Sequence, residues 1–430
     1  MRAATFSLVA VAPPRTEWLT RLTGWANEGS VGVDVVRCIS IEEMRARIGS
    51  MQRFSAALID ESTVGLDRDL LMASHETGCA PIVVSKGITR RDWESLGASG
   101  TITDPFDAEA LLHVLRTYAE PTDHHRLRHQ PDPQPIGIIQ APGAPPTPLA
   151  PLVAVVGGGG TGTSTAAIAL AQGFSSTFEV TLVDAALDGS LALMLGSTEL
   201  VPALQQLVEV HRLATPQPED LRSFLHQCPN HPFALVPGLR RHRDWTSLST
   251  HAVGSAITSL RQTCQLLVAD VDPDLEGEAE TGSFDISDRN ALSRIIITSA
   301  DAVLVTGRPD LIGVSRLVRI VTDLIDLGVA VDRIRMVMLL SGRSLLGTGE
   351  IRRGIDQLIR ERHPSLAPPP TAFVELPKGL AGLMLDARPL PGSFAASLRS
   401  IAEPALGSGW STPATSDPLP IIPGSLGIAS

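Results

Sequence analysis

Residues 157–165 read GGGGTGTST. Glycines let successive backbone N–H groups point into one concavity, and a helix that follows presents its positive end to the same place. Such a run is therefore suited to holding phosphate. The general pattern G-x-x-x-x-G-K-[ST] adds a lysine for the outer phosphates and a hydroxyl for Mg²⁺. Gly157 and Gly162 take the two glycine positions, Ser164 takes the hydroxyl position, and Thr163 stands where the lysine belongs. Thr163 offers a hydroxyl but no charge. A charge-assisted hydrogen bond contributes about 1.5–3 kcal/mol, so its loss costs on the order of 10–100-fold in affinity. The effect on hydrolysis is expected to be larger, because charge stabilisation is most of phosphoryl-transfer catalysis. Two readings stand at this point: a phosphate loop without its cation, or a glycine-rich strand-to-helix turn with no ligand.

The flanking residues supply the elements such a loop needs. LVAVV before it reads as a buried strand, and STAAIALAQGF after it as a helix of small, close-packing residues. Upstream, residues 6–119 alternate short apolar runs with amphipathic ones. FSLVAV, VGVDVVRC, SAALID, APIVVS and GTITD read as strands, and Glu17–Asn27 as a helix with Trp18, Leu19, Leu22 and Trp25 on one face. Five βα units predict a doubly wound parallel sheet. Residues 121–150 are dense in proline without apolar periodicity, which predicts a linker. The expected division is a first domain over 1–120, the linker over 121–150, a second α/β domain over 151–405, and a Pro/Ser/Gly-rich disordered tail over 406–430.

Composition narrows the function classes. The 430-residue chain carries a formal charge of −11, which argues against non-specific nucleic-acid binding. The basic cluster Arg240, Arg241, His242, Arg243 reads as a solvated loop. Lys86 and Lys378 are the two lysines, so none lies near the glycine loop in sequence. Cys38, Cys79, Cys228 and Cys264 lie far apart without a CxxC and read as core thiols of a cytoplasmic protein. No run reaches the ~18 uninterrupted apolar residues of a membrane helix.

The order of motifs resembles the ParA/MinD-type (SIMIBI) P-loop ATPases, whose deviant loop reads K-G-G-x-G-K-[ST]-T. The matching run here is Gly158, Gly159, Gly160, Thr161, Gly162, Thr163, Ser164, Thr165. Both lysine positions differ, with Gly158 at the signature lysine and Thr163 at the loop lysine. EVTLVDAALDGSLALMLG is similar to the family's second strand and switch I, with Asp184 kept and Ala186 at a second aspartate position. CQLLVADVDPD is similar to the Walker B strand, which implies that Asp270 joins Ser164 in holding Mg²⁺. SADAVLVTGRPDLIGVSRLVRIV matches the next strand and helix, and Leu339 lies near the family's adenine-reading asparagine. FVELPKGLAGLMLDARPL resembles the closing strand and loop, which carries Lys378.

The first domain resembles a response-regulator receiver, a flavodoxin-like fold, with Asp60 at the phosphoacceptor position. Its acidic pair is replaced by Ala12 and Pro13, and Asp104 stands for the lysine of its fifth-strand motif. A pseudo-receiver is therefore expected, with Asp60 as a strand-end residue. A receiver-like domain joined to a MinD-like one is the layout of CpaE-like proteins of Tad pili. The lysine-free loop is similar to that of an actinobacterial subgroup identified as CpaE-like or septum-site-determining.

The resemblance implies three functions. The first is a regulatory or localisation protein that keeps the ATPase fold as a partner-binding, dimerising surface for pilus assembly, secretion or septum placement, and is not an efficient ATPase. The second is a weak ATP-binding switch using Mg²⁺ and the lysine-free loop, with its charge supplied by an arginine from elsewhere or from a second subunit. The third is a phosphorelay receiver acting through Asp60. The tail lacks the basic amphipathic helix with which MinD proteins end, so membrane recruitment is expected only through a partner.

Overall fold

The computed structural model describes residues 6–29, 31–49, 53–87, 91–121, 149–197, 201–342 and 347–407. Most of the expected linker, residues 122–148, and nearly all of the expected tail, residues 408–430, lie outside them. The chain divides into two compact units. One comprises Met1–Thr147 with Leu207–Gln217 and Leu248–Ala256, and the other comprises the remainder.

In the first unit, β1 (Phe6–Val11), α1 (Glu17–Glu28), β2 (Val33–Cys38), α2 (Ile41–Ile48), β3 (Ala56–Asp60), α3 (Arg68–Glu76), β4 (Ala80–Ser85), β5 (Gly100–Thr103) and α4 (Ala108–Tyr118) alternate along the chain. The sheet order is β2-β1-β3-β4-β5, with every pair parallel. Buried on both faces, β1, β3 and β4 are almost wholly apolar, as a sheet covered by helices on both sides requires. Helices α2, α3 and α4 start at Ser40, Asp67 and Asp107, whose side chains accept from backbone N–H groups of the first turn.

Asp60 ends β3, and only 2% of its surface is exposed. The Trp18 indole N–H donates to its Oδ2 at 2.9 Å, and the Ser62 amide and hydroxyl donate to its Oδ1 at 3.0 and 2.5 Å. Both oxygens are thus engaged in tying α1 to the end of β3. Asp104 is ion-paired with Arg21 at 2.6 Å. Replacing Asp60 with Ala strands a buried indole N–H, and the expected loss of stability in urea unfolding is about 1–3 kcal/mol. A variant as stable as the parent would show that Trp18 finds another acceptor.

The second unit contains β6 (Leu152–Gly157), α5 (Thr163–Phe174), β7 (Val180–Ala185), α6 (Leu191–Met194), α7 (Ala203–Leu213, its later part grouped with the first unit), α8 (Pro218–Leu221), β8 (His226–Gln227) and β9 (Ala234–Val236). There follow α9 (Thr250–Leu260, shared between the units), β10 (Leu266–Val271), α10 (Glu278–Thr281), α11 (Phe284–Ser299), β11 (Ala302–Gly307), α12 (Leu311–Asp326), β12 (Ile334–Leu340), α13 (Thr348–Arg362), β13 (Thr371–Glu375), α14 (Leu380–Leu385) and α15 (Gly392–Ala402). The sheet order is β13-β12-β11-β6-β10-β7-β9-β8, parallel except for the short edge pair β8–β9.

From β6 the chain winds toward the β8 edge, returns as β10, then crosses to β11 on the other side of β6. The carboxyl end of β6 therefore lies where the winding reverses, which is where open α/β sheets bind ligands. Helix α5 is buried from Thr165 to Ala171. Its alanines and Gly173 allow a close approach by α15, since a Cβ at Gly173 would come within 2.6 Å of the Ala395 carbonyl oxygen. No helix among the described residues is long and apolar enough to cross a membrane.

Candidate functional site

The glycine run sits between β6 and α5. Gly160 and Gly162 adopt φ of 76° and 85°, the left-handed region that glycine enters without strain. Gly162 is also the residue from which α5 starts, so the helix N-terminus opens at the loop.

The hydroxyls of this loop are tied to one another. Thr306 on β11 is the direct register partner of Gly157 on β6. Its Oγ1 lies 3.0 Å from the hydroxyls of both Thr161 and Thr163, which are themselves 3.2 Å apart. Thr161 Oγ1 also lies 2.6 Å from the Gly158 carbonyl oxygen, positioned to donate to it. A Cβ at Gly157 would collide with all three hydroxyls, so glycine there is a condition of the cluster. The Thr163 side chain, at the lysine position, thus turns into the protein and closes the loop upon itself. Below the loop, Leu339 is 1% exposed, and a Cβ at Gly162 would come within 2.8 Å of its Cδ1. Leu339 is a packing residue under the turn and presents no polar group for reading a base.

Beside the loop the structure gathers carboxylates. Asp184 and Asp270 are register partners on β7 and β10, each 2% exposed. Asp184 Oδ2 accepts from the Leu191 amide at 2.9 Å, while its Oδ1 is buried with no hydrogen-bond partner among the described residues. Burial is the chief cause that pushes the Asp184 carboxyl up to about 6. Burial likewise pushes Asp270 up to about 7; the Ser164 hydroxyl, donating to it, opposes the rise, and the charges of Asp184 and Asp272 add to it. Asp272 accepts from the Leu187 amide at 2.6 Å, and it too is raised, mainly by burial. Gly189 packs so closely on Asp184 that a Cβ there would lie 3.0 Å from Oδ2.

Among the described residues no three acidic, histidine or cysteine side chains form a group that could hold a metal ion by themselves, but the paired carboxylates of Asp184 and Asp270 with the Ser164 hydroxyl are hard-oxygen groups of the kind Mg²⁺ takes when phosphate and water complete its shell. Ser164, Asp270 and Asp184 would hold the ion, which would supply neutralisation of phosphate charge. The residues Gly158, Gly159, Gly160 and Thr165 complete the loop, with Gly159 and Gly160 exposed at its rim and Thr165 buried at the first turn of α5.

Sequence reasoning overlooked Thr306, Asp272 and Arg316. The signal for Asp272 was present, since it follows Asp270 by two residues and so falls on the same side of an extended chain. Arg316 lies on α12 with its stem against Gly158, and its Nη1 donates to the Gly159 carbonyl at 3.2 Å. No local pattern marks it.

No protein-family model matches the sequence. Nor does any curated protein. Among solved structures, the chain is similar to MinD- and ParA-type ATPases. The cell division ATPase MinD of Pyrococcus furiosus shares 16% identity over 59% of this chain and 99% of that one, with a TM-score of 0.46. The septum site-determining protein MinD of Pyrococcus horikoshii, complexed with Mg-ADP, shares 15% over 60% and 93%, with a TM-score of 0.42. The MinC:MinD cell division complex of Aquifex aeolicus shares 14% over 62% and 98%, with a TM-score of 0.43.

Proposed function

We propose that this chain is a MinD/ParA-like regulatory or localisation protein, of the CpaE-like kind, with impaired nucleotide chemistry. It serves a Tad-type pilus, secretion or septum-placing machinery through protein contacts, and forms a homodimer. The observation that carries this reading is the inward turn of Thr163. Where the motif calls for a cation aimed at the transferring phosphoryl, the side chain is spent on Thr161 and Thr306. Leu311 and Ile312 at the start of α12 are 83% and 64% exposed, and neighbouring large apolar side chains left in water favour a protein contact. The receiver reading through Asp60 draws no support from its geometry, since Trp18 and Ser62 already occupy both carboxylate oxygens.

A second reading, an ATP-holding switch without efficient turnover, is favoured by one observation. Among the described residues Asp184 Oδ1 is buried without a close hydrogen-bond partner, and Asp184 pairs in register with Asp270, which Ser164 approaches. Asp184 also accepts from the Leu191 amide, but burying two adjacent carboxyls is costly, and a cation held there would offset that cost. Titration of the full chain with labelled ATP and Mg²⁺, together with a phosphate-release assay, tests both. Phosphate release at the background rate is expected. Release that disappears in Ser164→Ala would overturn the impaired chemistry. Saturation at micromolar ATP selects the switch, whereas no saturation at millimolar ATP selects the pure scaffold.

A further inference from the structure

We propose that Arg316 is the phosphate-binding cation of this loop, taking the outer phosphates of a nucleoside di- or triphosphate from within the same chain. The inference rests on the ATP-holding reading and names the group that makes it workable.

Three observations converge on this arginine. The first is the space prepared for it. A Cβ at Gly158 would lie 2.9 Å from Arg316 Cδ, 3.3 Å from its Cβ and 3.6 Å from its Cγ. Any side chain at residue 158 would displace the stem, so the glycine that removes one side chain from the loop seats another.

The second observation is how its head group is anchored. Nη1 donates to the Gly159 carbonyl at 3.2 Å, at the exposed rim of the loop. A guanidinium has five N–H donors in a planar fork, so a single bond to a carbonyl leaves most of them for an anion.

The third is its lack of a competing anion. Among the described residues Arg316 makes no ion pair, whereas Arg308, just before α12, is held by Asp310 at 3.2 Å. Asp310 is itself engaged as the cap of α12, accepting from the Gly313 amide at 2.7 Å. This cap fixes the start of the helix. At 1.5 Å rise per residue, Arg316 then falls within the second turn, where its side chain reaches back over the loop.

The neighbouring features suit the role. Asp184, Asp270 and Ser164 supply the cation-holding side of a phosphate site, and the α5 N-terminus supplies backbone N–H groups. Before Arg316 is counted, the glycine run itself carries no positive side chain. Arginine binds phosphate oxygens in bidentate fashion, which a lysine cannot, so the substitution exchanges a point charge for a fork.

The test is calorimetric titration of the full chain with Mg-ATP and with AMP. Arg316→Gln is expected to weaken Mg-ATP binding on the order of 10–100-fold, as loss of one charge-assisted contact predicts. AMP, which lacks the outer phosphates, is expected to bind both proteins equally. Arg319→Gln, one turn further along the same helix, is expected to leave both affinities unchanged. Gly158→Ala displaces the arginine without removing it, and is expected to weaken Mg-ATP binding alone but to add nothing in the Arg316→Gln background. If the parent protein fails to saturate at millimolar Mg-ATP, the inference falls together with the reading it rests on. If the parent binds and Arg316→Gln binds equally well, the inference alone falls. An equal loss for AMP and Mg-ATP would overturn the assignment to the outer phosphates.

Discussion

Asp270→Asn is expected to raise the melting temperature at about pH 7.5 by several degrees and to remove any stabilisation by Mg²⁺. Burial lifts the Asp270 carboxyl from 3.8 to about 7 and the Asp184 carboxyl from 3.8 to about 6. Between the unfolded and folded values the native protein binds more protons than the unfolded chain, so stability falls as pH rises. The contribution is complete below pH 3.8 and is lost as the pH climbs through about 6 for Asp184 and about 7 for Asp270. Ionising these two neighbouring buried carboxyls therefore costs the fold stability at neutral pH, and removing one charge relieves that cost. An asparagine keeps an acceptor for Ser164 and removes the charge.

A divalent cation acts in the opposite sense, since it binds the ionised carboxylates and should stabilise more at about pH 8 than at about pH 5.5. Differential scanning calorimetry with and without Mg²⁺ at both pH values checks this. A pH-independent Mg²⁺ effect, or one that survives in Asp270→Asn, would place the ion elsewhere.

Thr163→Lys is expected to tighten Mg-ATP binding on the order of 10–100-fold. The lysine returns a charged donor to the loop at the position the motif reserves for it. The exchange removes the Thr163 hydroxyl from the cluster, and Thr161 and Thr306, 3.0 Å apart, can still bond to each other. Hydrolysis is expected to remain slow, since Gly158 and Ala186 still depart from the residues of the ATPase pattern. A titration that compares the variant with the parent decides the matter. No gain in affinity, in the parent background and in Arg316→Gln alike, would show that residues 157–165 form a strand-to-helix turn and hold no phosphate.

Much of this site could be read from the linear chain, because its parts follow local rules. The loop is bounded by Gly157 and Gly162 between an apolar strand and an alanine-rich helix, and each boundary is set by neighbours in sequence. All five strands of the first unit were legible as short apolar runs. Asp184 and Asp270 were legible as acids at the ends of buried strands, although their pairing across β7 and β10 was not, because sheet order is a property of the whole fold. Thr306 and Arg316 were illegible for the same reason. Thr306 meets the loop because β11 happens to be the neighbour of β6. Arg316 meets it because α12 is capped at Asp310 and packs along that edge. The fate of the Thr163 hydroxyl, which decides whether the loop faces a ligand or itself, depends on Thr306 and so on a contact 143 residues away.

The three clustered threonine hydroxyls also bear on how such a domain ages. A phosphate loop that relies on its ligand for order collapses when the ligand is abandoned, and the surfaces built around it are lost with it. Here the loop is fastened by its own side chains, so its outline does not depend on a ligand to supply those contacts. Selection on the outer contour is thereby uncoupled from selection on turnover, and mutations that erode the second can accumulate without spoiling the first.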